Sequence, residues 1–124
     1  MTEAQDGRDV ERAQVHNLAA AAAELLERAA AAPVGRTALT LLPGAGAPLK
    51  QTLLALRGGV HLAEHDAPGA AMLQVLQGWV RLVAREESWA LGQGDHLQLS
   101  PTWHRLESLE GAAVLLTVAA RQSG

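Results

Sequence analysis

The sequence predicts an all-β sandwich or closed barrel preceded by one amphipathic α-helix. Three observations carry that prediction. From Asp9 to Ala32 the apolar residues Val15, Leu18, Ala22, Leu25, Leu26 and Ala29 recur at threes and fours, the spacing of one helical face. After Pro33 the period changes, and short apolar-rich runs follow one another to the end of the chain. Turn-forming residues separate these runs at Pro43-Gly44, Gly58-Gly59, Pro68-Gly69, Gly78, Arg85-Glu86, Gly92 to Gly94, Pro101 and Gly111. Many short strands at close turn spacing build a sandwich or barrel, not a sheet of helix-linked parallel strands.

In order along the chain, residues 1–8 are expected to be frayed or disordered. The helix is expected over 9–32, where Ala, Leu, Glu, Gln and Arg dominate. Asp6, Asp9 and Glu11 favour its positive end, and Pro33 with Gly35 stops it. Its stripe is expected to pack on a sheet or on a partner subunit. The remainder, 36–120, is expected to form one β domain whose strands are "RTALTLL", "LKQTLLAL", "VHLAEH", "AMLQVLQ", "WVRLVA", "SWALG", "DHLQLS", "HRLESL" and "AAVLLTVAA". "GAGAP" is a loop tip.

Composition narrows the function. At 124 residues and 48% hydrophobic, the chain is long enough for one domain with a real core. Without Phe or Tyr, any cavity wall is aliphatic, and Trp79, Trp89 and Trp103 are the only large rings. The absence of cysteine removes disulfides, thiolate metal sites and cysteine nucleophiles, and fits a reducing compartment. A net charge of -3 with scattered Lys and Arg offers no stripe for nucleic-acid phosphates. The apolar run Leu18 to Leu26 is too short to span a bilayer, and the acidic residues before it have the wrong sign for a secretory signal. A cytoplasmic protein binding neither membrane nor nucleic acid is expected.

Strand parity sorts the five histidines. His61, Ala63 and His65 share a face, but His61 and His65 lie roughly 13 Å apart and cannot share an ion. His96 alternates with Leu97 and Leu99 and points to water, and His16 reads as helix surface. His104 shares a face with Leu106. His65 and His104 are therefore the convergent candidates.

Around them the sequence resembles the cupin superfamily. Its first motif is glycine, five residues, His-x-His, three or four residues, Glu, six residues and glycine. Gly59, His65, Ala67, Ala71 and Gly78 fall on that lattice without a gap. Its second motif resembles Gly94-Asp95, Pro101 and His104, with a turn about one residue short of the family's usual length. The resemblance covers about residues 36 to 120 and implies a jelly-roll barrel with an internal pocket, often dimeric. It also implies a metal held by three histidines and a carboxylate or amide. Here alanine occupies two of those four positions, leaving His65 and His104. A divalent ion such as Fe, Mn, Ni or Zn wants at least three protein donors. Glu64 would need a bulge to turn inward, Gln74 differs in parity from Ala71, and the facing of Gln51 is open.

Two functions stay open. One is a small-molecule-binding module in which His65, His104, Gln51 and Gln74 supply polar contacts. The other is a metal-dependent enzyme of isomerase, lyase or dioxygenase type, with His65 and His104 as ligands. A closed, filled barrel serving only a partner or a homodimer is a third reading. No GxGxxG, P-loop, HExxH or GxSxG motif occurs, and no residue is assigned a catalytic role. Arg57, Arg81 and Arg105 are candidates for an anionic ligand or for solvated edges. Trp79 and Trp89 are expected to pair across strands or to mark a dimer face.

Overall fold

The computed structural model describes residues 15–42, 48–63, 70–84, 86–99 and 105–119. One helix, α1 (Leu18–Ala31), precedes seven strands: β1 (Arg36–Leu42), β2 (Leu49–Leu56), β3 (His61–Ala63), β4 (Ala71–Val83), β5 (Ser88–Gly92), β6 (His96–Leu99) and β7 (Arg105–Ala119).

The helix begins later than its apolar stripe implies. Asn17 is its N-cap, with Oδ1 accepting from the Ala20 amide at 2.9 Å. That bond satisfies a backbone donor the first turn leaves unpaired. Val15 therefore lies ahead of the helix and is 94% exposed. The other end is closed by Arg57, whose Nη1 donates to the carbonyls of Ala30 and Ala32 at 3.3 and 3.1 Å. A cation there complements the negative end of the helix.

Strands β4 and β7 form the spine of the sheet, and all pairings are antiparallel. The order is β1-β2-β7-β4-β5, with β3 also paired to β7 and β6 to β4. Each spine strand serves two halves. The C-terminal half of β7 and the N-terminal half of β4 pair with β2 and β6, while their other halves pair with β3 and β5. The sequence reading divided each spine strand in two at a glycine. Instead, Gly78 and Gly111 sit inside continuous strands at φ +87° and +102°. They face one another where the β4–β7 register shifts, between Val75 and Gln77 and again between Gly78 and Val80. These bulges bend the ladder without ending it, so one sheet wraps over its own face.

Ser108 secures the bend. It is 3% exposed, the one buried polar side chain among the described residues. Its Oγ donates to the Leu56 carbonyl at 3.2 Å and accepts from the Gly111 amide at 2.9 Å. Ser108→Ala leaves both groups short of a partner and is expected to cost about 1–3 kcal/mol. A urea midpoint unchanged from wild type would refute that role.

The fold has two cores, set by strand alternation. Leu56, Leu73, Val75, Leu82, Leu99, Leu106 and Val114 fill the interior between the two halves, with Leu54, Leu62, Leu116 and Trp89 packed against them. On the outer face of the first half, Ala22, Leu25 and Ala29 of α1 close over Leu53, Ala55 and Ala113. Strand β2 is thus buried on both faces, and the helical stripe does pack on the sheet. Thr37 Oγ1 adds a hydrogen bond to the Leu25 carbonyl at 3.0 Å. No helix among the described residues is long and apolar enough to cross a membrane.

Candidate functional site

The interior of the barrel is the concave part of the molecule. Leu54, Leu62, Leu73, Leu82, Leu99, Leu106, Val114 and Leu116 line it, and none brings a polar side-chain atom. Its free space is ≈ 10 Å³, about what one water molecule needs. An apolar void of that size stays dry, because a water there would forgo its two to four hydrogen bonds. The aliphatic wall expected from composition is what the described residues supply.

The second glutamine, Gln74, pairs with Leu115 and with His96, and the first, Gln51, pairs with Thr117. Leu53 and Ala113 are on the helix-covered side, and alternation puts Gln51 and Gln74 on that same outer side. Gln51 Nε2 donates to Thr117 Oγ1 at 3.1 Å, a cross-strand bond on the outside of the sheet. Neither glutamine lines the leucine-walled interior. Of the histidines, His16, His61 and His96 are exposed. His65 and His104 lie outside the described residues, as do Glu64, Ala67, Ser100 and Trp103.

The arginines separate by role. Arg57 is engaged by the end of α1, and Arg105 Nε donates to Glu107 Oε2. That hydrogen bond holds the Glu107 carboxyl below its ordinary value, helped by the charges of Arg105, Arg81 and His61 and opposed by partial burial. The stabilisation it brings is present at neutral pH and is lost as pH falls through the lowered titration of Glu107. For a pair this exposed the effect is small. Acid titration of the Arg105→Gln variant is expected to move the Glu107 carboxyl resonance back up. An unmoved resonance would assign the shift to another neighbour.

The glycine-aspartate motif before β6 is a turn, not a ligand set. Asp95 Oδ2 accepts from the Gly92 amide at 2.8 Å, its own amide donates to the Gly92 carbonyl, and Gly94 and Asp95 both bond to the backbone of Val75. The two tryptophans do not pair. Trp89 is opposite Leu82 on the inner face, whereas Trp79 is opposite Gly92 on the outer face.

Seven antiparallel strands, a sheet wrapped on itself by two bent spine strands, and a glycine-aspartate turn leading into β6 match solved barrels. The chain superimposes on a conserved protein of unknown function from Streptococcus pyogenes at TM-score 0.63, with 24% identity over 71% of this chain and 76% of that one. It matches a cupin superfamily protein from Desulfitobacterium hafniense at TM-score 0.60, with 15% identity over 68% and 78%. A cupin 2 conserved barrel domain protein from Salinispora arenicola matches at TM-score 0.59, with 20% identity over 67% and 74%. The chain has a cupin fold. No family model matches it, and no curated protein matches its sequence.

The cupin barrel allows the implied metal to be tested against the residues present. The family's carboxylate position falls on Ala71, which opens β4, is 2% exposed and belongs to the interior core. A methyl group donates nothing. Among the described residues no group of three or more His, Asp or Glu side chains comes together. With Ala67 at a further family position, the donor set does not fit a resident four-ligand ion.

Sequence reasoning missed Ser108 and Glu107. A signal for Ser108 was present, since a serine in phase with Leu106 and three residues before a glycine is an inward polar group at a bend. Glu107 gave no comparable signal, because its partners Arg81 and His61 come from other strands.

Proposed function

We propose that this cupin barrel is a small-molecule-binding module of the cytoplasm, with His65 and His104 supplying the polar contacts at one end of an aliphatic interior. One observation carries the reading: Ala63, the last residue of β3, is paired with Arg105, the first of β7. Paired Cα atoms lie about 5 Å apart, and each chain step adds at most 3.8 Å. Positions 65 and 104 are thereby tied to one edge of the barrel, next to the interior pair Leu62 and Leu106. An aliphatic wall with two polar groups at its rim suits a compact, mostly apolar ligand with one acceptor or acid group. The small free volume favours a ligand seated at that rim.

Alternation sets a condition. His61 and Ala63 face outward while Leu62 faces in, so position 64 is in phase with the interior and position 65 enters it only through a bulge. The test therefore carries Glu64→Gln beside His65→Ala and His104→Ala. Small-molecule libraries are screened by thermal shift and ligand-observed NMR against the full chain. Ligands whose affinity falls about tenfold or more in both histidine variants support the reading. Ligands indifferent to both histidines overturn it.

The enzyme reading, in which His65 and His104 hold Fe, Mn, Ni or Zn, makes a different prediction. It requires close to one ion per chain in protein purified without a chelating column, lost in His65→Ala and in His104→Ala. The expected result is well under stoichiometric metal, because two imidazoles are a weak donor set. Stoichiometric, histidine-dependent metal would replace the binding module with the enzyme.

A further inference from the structure

The outer faces of the two halves differ. Helix α1 covers the first, whereas no described element covers the second, formed by β3, the N-terminal half of β7, the C-terminal half of β4, and β5. Its side chains stand in registered rows. One row runs His61, Glu107, Arg81, Ala90 across the four strands, from the pairs His61↔Glu107, Arg81↔Glu107 and Arg81↔Ala90. A second runs Ala63, Arg105, Val83, Ser88. Beyond the first row lie Leu109 on β7, 40% exposed, and Trp79 on β4, 50% exposed. Trp79 is laid over Gly92: a Cβ built there would stand 2.8 Å from Cη2 and Cζ2 of the indole. The ring is therefore held flat by its own sheet while half its surface meets solvent.

We infer that this face is the interface between two copies of the chain. The argument is self-complementarity. Place a two-fold axis midway between two such faces, parallel to the strands and above the seam between β4 and β7. Each β4 then lies over the β7 of the second copy. Arg81 meets the second copy's Glu107, and Glu107 its Arg81. Trp79 meets Leu109 and Leu109 meets Trp79, while Arg105 falls on Val83 and His61 on Ala90. No like charges are opposed, and every contact occurs twice, as a closed two-fold interface requires. Indole and guanidinium are also the groups that most often dominate interface energies. Four strands at about 4.8 Å and three rows at about 7 Å give a footprint of roughly 20 by 20 Å. That is the low end for stable association, so the dimer dissociates within an accessible concentration range. This inference is independent of the ligand reading, because the interior lies on the opposite side of the same strands.

Sedimentation velocity on the full chain, from about 1 to 300 μM, reads it in the micromolar range. A weight-average mass rising with concentration from 13.0 kDa toward twice that value is expected. Arg81→Glu opposes two carboxylates and is expected to raise the dissociation constant about tenfold or more, and Arg81→Glu with Glu107→Arg to recover most of it. Ala90→Arg alters an exposed alanine and so spares the fold, yet obstructs the face and is expected to give monomer. Circular dichroism confirms that each variant folds. A 13.0 kDa species at every concentration hands the face to another molecule and overturns the inference. So does a dimer untouched by Arg81→Glu and Ala90→Arg. Failure of the charge exchange to recover association overturns the two-fold register.

Discussion

Gly78→Ala is expected to leave little folded protein. Two penalties add at that position. The backbone is at φ +87°, a region that costs a residue with a Cβ about 1–2 kcal/mol. The added Cβ would also stand 2.1 Å from the Gly111 carbonyl oxygen and 2.9 Å from the Ala112 Cα. Neither neighbour is a side chain that can rotate away. Both belong to the opposite spine strand, so relief means parting β4 from β7 where the sheet wraps. A total of about 4 kcal/mol or more is expected, against a typical domain stability of roughly 5–15 kcal/mol. Gly94→Ala separates the two penalties. Gly94 is at φ +91°, but a Cβ there meets nothing within 4 Å, so only the backbone cost of about 1–2 kcal/mol is expected. Urea unfolding of both variants decides the matter. Equal losses would show that the clash relaxes and that the bend does not depend on close strand contact.

The same glycines show how far the sequence could be read. A glycine after "VLQ" or "LE" marks a place where backbone departs from extended geometry, and that was legible. Whether the departure is a turn or a bulge depends on whether the next run pairs with a new strand or continues along the old one. That is set by the partner strand. Gly78 and Gly111 specify each other across the ladder, at a separation no local pattern reports. The helix was legible because its stripe repeats, but its start was not, since Asn17 stops the helical backbone while Val15 continues the apolar spacing. Faces were legible where alternation was clean, as in "DHLQLS". They were open in "LKQTLLAL", which is apolar on both sides because one side meets α1 and the other the interior. That double burial is why Gln51 was readable as an inward residue and yet stands outside, bonded to Thr117.

A chain beginning at Pro33, without α1, is expected to be unstable and to aggregate. The physical reason lies in β2. Leu53 and Ala55 are fully buried in the intact protein, and they and Ala113 owe that burial to Ala22, Leu25 and Ala29. Loss of the helix opens an aliphatic patch in the middle of the first half's outer face, and burying one leucine is worth about 1.5–3 kcal/mol. Thr37 Oγ1 loses its acceptor on Leu25, and Arg57 loses the carbonyls of Ala30 and Ala32. The interior core does not depend on α1, so the barrel is expected to retain its strands while its outer surface becomes adhesive. Static light scattering on the truncated chain, compared with a full-length Leu25→Asp variant, tests this. Leu25→Asp keeps the helix covalently attached while burying a charge against Leu53, and is expected to cost about 2–5 kcal/mol. If the truncated chain stays dispersed and melts at the wild-type temperature, α1 contributes nothing to the barrel. The exposed leucine of β2 would then have to be covered by rearrangement of β1, its only other strand neighbour besides β7.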